Sequence, residues 1–312
     1  MGGRGTSGTA ILLAFVALVG AGAATADAAA GPCPPALTQR IPSRSAAAVT
    51  GSEFVEQTAA LSEPEREAVI STELLAGNLP DFLRHLKPVT LRGRVGAGRT
   101  AEIRICVMPD YLALGSDTDF LRIPMGLRIA FAVAESFGFV LPTPTMVDAI
   151  YEQAEFHLRP QPLPPGRKMR SNAYYREHQE RIQKQRLALG APLGTLIAGQ
   201  KKDLVVTNRL WRKAGRVAIY GWHRGAGAPI QPLSTVHGAR YADYSHGVRL
   251  VSAVAYVNGQ PRSIFEILGD PVLAGIVSDD GPIMRLAGLM DTSSNVAEQA
   301  DQGNGCTVTV AC

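Results

Sequence analysis

The chain has 312 residues, 46% hydrophobic and 6% aromatic, with 31 basic against 27 acidic side chains and a net charge of +4. A mild basic excess without a long Lys/Arg block excludes a nucleic-acid footprint, and so few aromatics exclude a stacking platform for single strands. The same charge suits approach to acidic polymers such as envelope glycans.

The N-terminus has the form of a secretory signal: Arg4, an apolar run from Ala10 to Ala24, and the small-x-small site Ala26-Asp27-Ala28. The run is short for a membrane span and lacks a basic stop-transfer cluster. Residues 1–28 are therefore expected to be removed, leaving a secreted or periplasmic protein with no stable membrane span in its mature form. Arg4 and Asp27 leave together, so the charge is unchanged, and about 280 residues remain for one large domain or two modest ones. Cys33, Cys106, Cys306 and Cys312 suit an oxidising compartment. Cys306–Cys312 is the favoured bridge, with Cys33 and Cys106 pairing or free. No Cys-x-x-Cys or Cys/His cluster is present, so no metal is expected, and no motif asks for a cofactor.

Residues 29–52, rich in Ala, Pro and Ser, are expected to form a flexible leader. Ser62 and Glu65 form a capping box for a helix that Gly77 stops, and a second short helix follows Pro80. Alternation from Val89 to Val107 predicts two strands around Gly96-Ala97-Gly98. Helices are predicted from Gly126 to Phe137 and, with Thr143 as N-cap and Pro144 at the first position, through Ala154. The proline-rich stretch 160–166 is the candidate boundary, and a basic helix follows from Ser171 to Leu189. Beyond Lys201 the period changes to strands at 203–207, 217–220 and 248–257, then the hairpin signal Asn258-Gly259 and short helices at 263–268 and 271–277. The expected fold class is α+β: a helix-rich part at 53–160 with a few strands, and a strand-rich part at 167–312 forming a small antiparallel sheet or barrel.

Chemistry concentrates between His237 and Leu250, where two histidines, an aspartate, a serine and two arginines lead into an apolar run. If Tyr241–Leu250 is extended, Asp243, Ser245 and Arg249 share a polar face, and His246 lies on the apolar one. Ser245, or a bound water, is then the candidate nucleophile. His237 is the candidate base, with His246 or His223 as alternatives, Asp243 the orienting carboxylate, and Arg249 the anchor for a substrate carboxylate. The competing reading has Asp243 and Ser245 satisfying turn amides and His246 as a half-buried structural histidine. Tyr220 and Trp222 could stack on a sugar or peptide. Asp117 and Asp119 either serve turns and caps or, with Tyr111, form the second wall of a cleft.

Ser245-His246-Gly247-Val248-Arg249-Leu250, preceded by His237-Gly238, resembles the Ser-His-Gly-Cys-x-Arg signature of cell-wall L,D-transpeptidases, without the nucleophilic cysteine and with a shorter spacing from the first histidine. Lys202–Val206 followed by Gly215–Tyr220 resembles the paired strands of NlpC/P60-type cell-wall peptidases, with Arg216 where the histidine usually stands. Both resemblances imply peptidoglycan as the substrate. More broadly, Ala76–Phe82, Pro109–Leu112 with Gly115–Asp117, Leu141–Thr143 with Met146–Ile150, and Asp243–Gly247 resemble a group of secreted bacterial proteins with no established activity.

The expected function is a secreted hydrolase or transferase acting on a peptide or amide bond, with a cell-envelope polymer or peptide as its partner and no nucleic acid. Two alternatives stand beside it. One is a non-catalytic envelope-binding protein derived from such an enzyme; the other is a carbohydrate-active enzyme using Asp117 or Asp119.

Overall fold

The computed structural model describes residues 1–3, 31–96 and 98–283. The signal segment and the Cys306–Cys312 pairing lie outside the described residues. The fold is mixed α+β, organised around one long strand, Arg99–Val107. That strand pairs antiparallel with Lys87–Val95 in unbroken register, from Lys87 opposite Val107 to Val95 opposite Arg99. On its other side it meets Val251–Ser252 and Val254–Val257. Phe139–Val140 and Gln260–Ser263 complete a six-stranded sheet.

A second, four-stranded sheet runs as an open path: Pro229–Ser234, Ile219–His223, Lys202–Leu204 and His246–Gly247. Its last pair is parallel, and the others are antiparallel.

The six-stranded sheet therefore draws strands from both sides of the 160–166 connector, and one apolar core runs from Ile41 to Ile283. The expected segregation of helices before the connector and a self-contained sheet or barrel after it is not how the molecule is built. The helices do follow their sequence signals. In Glu63–Leu75, the Ser62 N–H donates to Glu65 Oε2 at 2.8 Å, and the N3 amide returns to the Ser62 hydroxyl. In Pro144–Gln153, Thr143 Oγ1 accepts from the Met146 N–H at 3.1 Å.

Residues 31–50 are held against the body. Cys33 is disulfide-bonded to Cys106 with Cα atoms 5.8 Å apart. Arg44 Nε donates to Asn78 Oδ1 at 2.9 Å, and Ile41 is buried. Composition suggested a flexible leader because it lacks periodicity, but pinning by one disulfide and a few long side chains leaves no periodic trace. A short helix at Gly51–Gln57, capped by Thr50 and Glu53, follows directly.

The apolar run expected as one strand over 248–257 is broken into His246–Gly247, Val251–Ser252 and Val254–Val257, so the chain passes from the small sheet to the large one within it. Gly247 sits at that crossing. A Cβ there would lie 2.5 Å from Tyr111 Cδ1 and 2.9 Å from Lys201 Cβ, so only glycine fits.

Candidate functional site

The segment Tyr241–His246 is a turn, and this relocates the chemistry. Ser245 donates twice to Asp243 Oδ1, from its N–H at 2.8 Å and its hydroxyl at 2.6 Å. The His246 N–H donates to the Asp243 carbonyl at 3.0 Å. A carboxylate bonding the amide two residues on is the turn habit of aspartate. It cancels the strict alternation of an extended segment, which would place Asp243 and His246 on opposite faces. Instead His246 Nε2 lies 3.9 Å from Asp243 Oδ2.

Around this pair, Tyr241 donates its hydroxyl to Asp243 Oδ2 at 3.1 Å. The His237 ring stacks on Tyr241 with centroids 4.1 Å apart and planes 8° apart, and lies 6.3 Å from His246. Asp243, Ser245 and His246 are buried, whereas His237 and Tyr241 are half-exposed and form the solvent-facing side of the cluster. Three backbone hydrogen bonds fix the loop carrying them: Val217 N–H to His237 O, Ala239 N–H to Gly215 O, and Leu127 N–H to Ala239 O. Lys202 stands opposite His246 in the parallel register.

Burial works against ionisation of Asp243, but the neighbouring His246, the two Ser245 hydrogen bonds and Lys202 outweigh it and hold the carboxyl below its ordinary value. Burial pushes the His246 imidazole down to about 4, against the pull of Asp243 and with help from Lys202, His237 and Lys201. The resting pair at neutral pH is thus a carboxylate beside a neutral imidazole. Burial also lowers His237, opposed by Asp243 and assisted by Lys202 and Arg216. Both ring nitrogens of His246 are buried without a hydrogen-bond partner among the described residues. Such groups are rare because each costs about 1–3 kcal/mol.

The expected Ser–His–Asp chain does not form. Ser245 is fully buried with its hydroxyl committed to Asp243, and neither His237 nor His246 hydrogen-bonds to it. Arg249 is not a substrate anchor either. It is 1% exposed, donates to the carbonyls of Met108 at 2.8 Å and Ile197 at 2.7 Å, and lies over the Tyr111 ring.

Tyr111 belongs to a separate buried group, its hydroxyl donating to Asp203 Oδ2 at 2.9 Å. Burial raises Asp203 to about 6, against the opposing pull of Arg249 and the Tyr111 hydrogen bond. His223 likewise lies apart from Ser245: its Nε2 pairs with Asp148 Oδ1 at 2.8 Å and its ring stacks on Tyr151. The Tyr220 hydroxyl donates to the same carboxylate, and Trp222 is buried with its Nε1 donating to Gln200 O.

Asp117 and Asp119 do turn and cap work. Asp117 Oδ1 accepts from the Phe82 N–H at 3.2 Å, and Asp119 Oδ1 accepts from the Ser52 N–H at 3.1 Å. The residues sequence reasoning left out are Tyr241, Lys202 and Asp148. Asp148 meets His223 across 75 positions on a different element, so no local pattern could have joined them. Among the described residues no group of three or more His, Cys, Asp or Glu could hold a metal, and no helix is long and apolar enough to cross a membrane.

No family model matches this chain, and no curated protein or solved structure matches it either. What defines it is a mixed α+β fold carrying a disulfide and a buried Asp–His pair beneath a His–Tyr stack.

Proposed function

We propose that this is an exported hydrolase or transferase acting on a peptide or amide bond of the cell envelope, with His246 as its general base. The observation that carries the reading is the placement of His246, 3.9 Å from Asp243 with both ring nitrogens buried and without a hydrogen-bond partner among the described residues, where burial favours the neutral imidazole. A base needs its lone pair free, and its conjugate acid needs a carboxylate to stabilise it; Asp243 supplies that.

In hydrolysis the nucleophile is water, and in transfer an acceptor amine stands in its place; in neither is it Ser245. His246 takes the water proton as the oxygen attacks the carbonyl carbon. The resulting imidazolium then protonates the departing amine when the C–N bond breaks. Ser245 holds Asp243 in place. Export is supported by the Cys33–Cys106 disulfide together with the secretory signal in the sequence. Peptidoglycan as substrate rests on the two cell-wall motif resemblances.

The binding-protein alternative relied on Tyr220, Trp222 and Arg249 for recognition, but all three spend their polar groups internally. The carbohydrate alternative relied on Asp117 and Asp119, which serve backbone amides.

The test is muropeptide release from intact sacculi, followed by LC–MS. His246→Gln and Asp243→Asn should each lower the rate at least a hundredfold, on the scale of losing a general base. Ser245→Ala should lower it only about tenfold, by loosening Asp243. Complete loss in Ser245→Ala with activity kept in His246→Gln would overturn the assignment.

A further inference from the structure

Among the charged groups around Asp243 and His246, Lys202 carries an ammonium that reaches no hydrogen-bond acceptor among the described residues. Its Nζ lies 4.9 Å over the Trp222 ring and makes no hydrogen bond or ion pair among the described residues. Lys202 is only half-buried, and it sits opposite His246 on the neighbouring parallel strand, so the two side chains leave the sheet on the same face. His237, His246 and Asp243 all feel its charge.

Asp243 attracts this charge without forming an ion pair with it, and its carboxylate accepts from the Ser245 N–H and hydroxyl and from Tyr241. The other nearby cations differ. Arg170 is paired with Glu63 at 2.9 Å. Arg216 is exposed, donates to Val236 O at 2.6 Å, and adds positive potential beside His237. The half-buried Lys202 ammonium, on the His246 face of the sheet and without a hydrogen-bond acceptor among the described residues, is placed to take a small anion.

We infer that Lys202 binds the terminal carboxylate of the peptide substrate, so that the site removes a C-terminal residue rather than cutting within a chain. This rests on the hydrolase reading above. The terminal carboxylate is the anion every peptide with a free end brings, and a cut beside His246 then falls at the amide nearest that end. Water gives its hydroxyl to the acyl carbon and its proton, through His246, to the released amine. The products are the shortened peptide and one free amino acid. Arg249, the arginine whose sequence position suggested this task, is buried against backbone carbonyls, and Lys202 takes the role on the neighbouring strand.

The experiment uses the full mature chain and two soluble probes, a peptidoglycan stem tetrapeptide with a free C-terminal carboxylate and the same peptide as its carboxamide. Binding is measured by calorimetry and cleavage by LC–MS. The carboxylate probe should bind about tenfold more tightly, the increment of one charge-assisted contact. Lys202→Gln should abolish that preference and Lys202→Arg should keep most of it. In the wild type, added salt should erode the preference, a readout that needs no variant to fold.

Equal affinity for the two probes, a preference that survives Lys202→Gln, or no binding of either probe would overturn the assignment. Failure of the hydrolase reading looks different: a Lys202-dependent preference for the carboxylate with no cleavage product would keep the anion subsite and remove the reaction. Cleavage of the carboxamide as fast as the carboxylate would keep the reaction and remove the subsite.

Discussion

Replacing His246 with Gln should make the protein less sensitive to acid, and the size of the effect follows from the site. An unfolded chain binds a proton at this imidazole near 6.5, whereas burial in the native state lowers that to about 4. Between those values the unfolded state holds more protons, so stability is complete above about 6.5 and falls as pH drops toward 4. At about 1.4 kcal/mol per pKa unit, lowering the pH from about 7.5 to about 4.5 removes roughly 2–3 kcal/mol through His246 alone.

His178 is also buried, with its pKa well below the usual histidine range, and adds to the wild-type slope. Comparing the two proteins cancels that term. Asp243, held below 3.8, acts beneath this window. Urea unfolding of wild type and His246→Gln at the two pH values gives the comparison directly. The stability difference between them should shift by roughly 2–3 kcal/mol in favour of the variant at the lower pH. A difference that is the same at both pH values would mean that His246 titrates in the native state as it does unfolded, and a shift in favour of the wild type at the lower pH would mean that Asp243 holds it charged. The neutral-base account would then fail.

Other consequences can be checked with the same preparations. Gly247→Ala should destabilise by about 1–3 kcal/mol in urea, because the added methyl meets Tyr111 and Lys201. Asp117→Asn and Asp119→Asn should leave muropeptide release unchanged and cost about 1 kcal/mol or less each, as expected for lost caps. Replacing Cys33 and Cys106 together by Ala should lower stability by about 4 kcal/mol, given the sequence separation of 73 between them. The midpoint of urea unfolding reads each of these.

The sequence made much of the local structure legible, and the reasons are specific. Ser62 with Glu65, and Thr143 with Pro144, announce helix starts through side chains that bond amides within three residues. Asn258 and Gly259 both adopt positive φ, the requirement of a tight hairpin, and join Val254–Val257 to Gln260–Ser263. Alternation from Val89 to Val107 gives the long hairpin because one face of it packs on the core.

The candidate site was legible as a place but not as an arrangement. Treating Tyr241–Leu250 as extended separated Asp243 from His246. The turn that unites them comes from one carboxylate preferring the Ser245 amide to a sheet partner. The helix Gly51–Gln57 was missed although Thr50 and Glu53 cap it, since seven residues after an aperiodic stretch give too little pattern to separate from the background. The Asp148–His223 pair and the crossing of strands between sheets are long-range events that a local pattern does not carry.

The most direct test of the central claim is to incubate the purified mature protein with intact sacculi in ¹⁸O-labelled water and analyse the soluble products by mass spectrometry. The account predicts new muropeptides whose freshly made carboxyl group carries the label, and their loss in His246→Gln. An unchanged profile against a heat-treated control would contradict it.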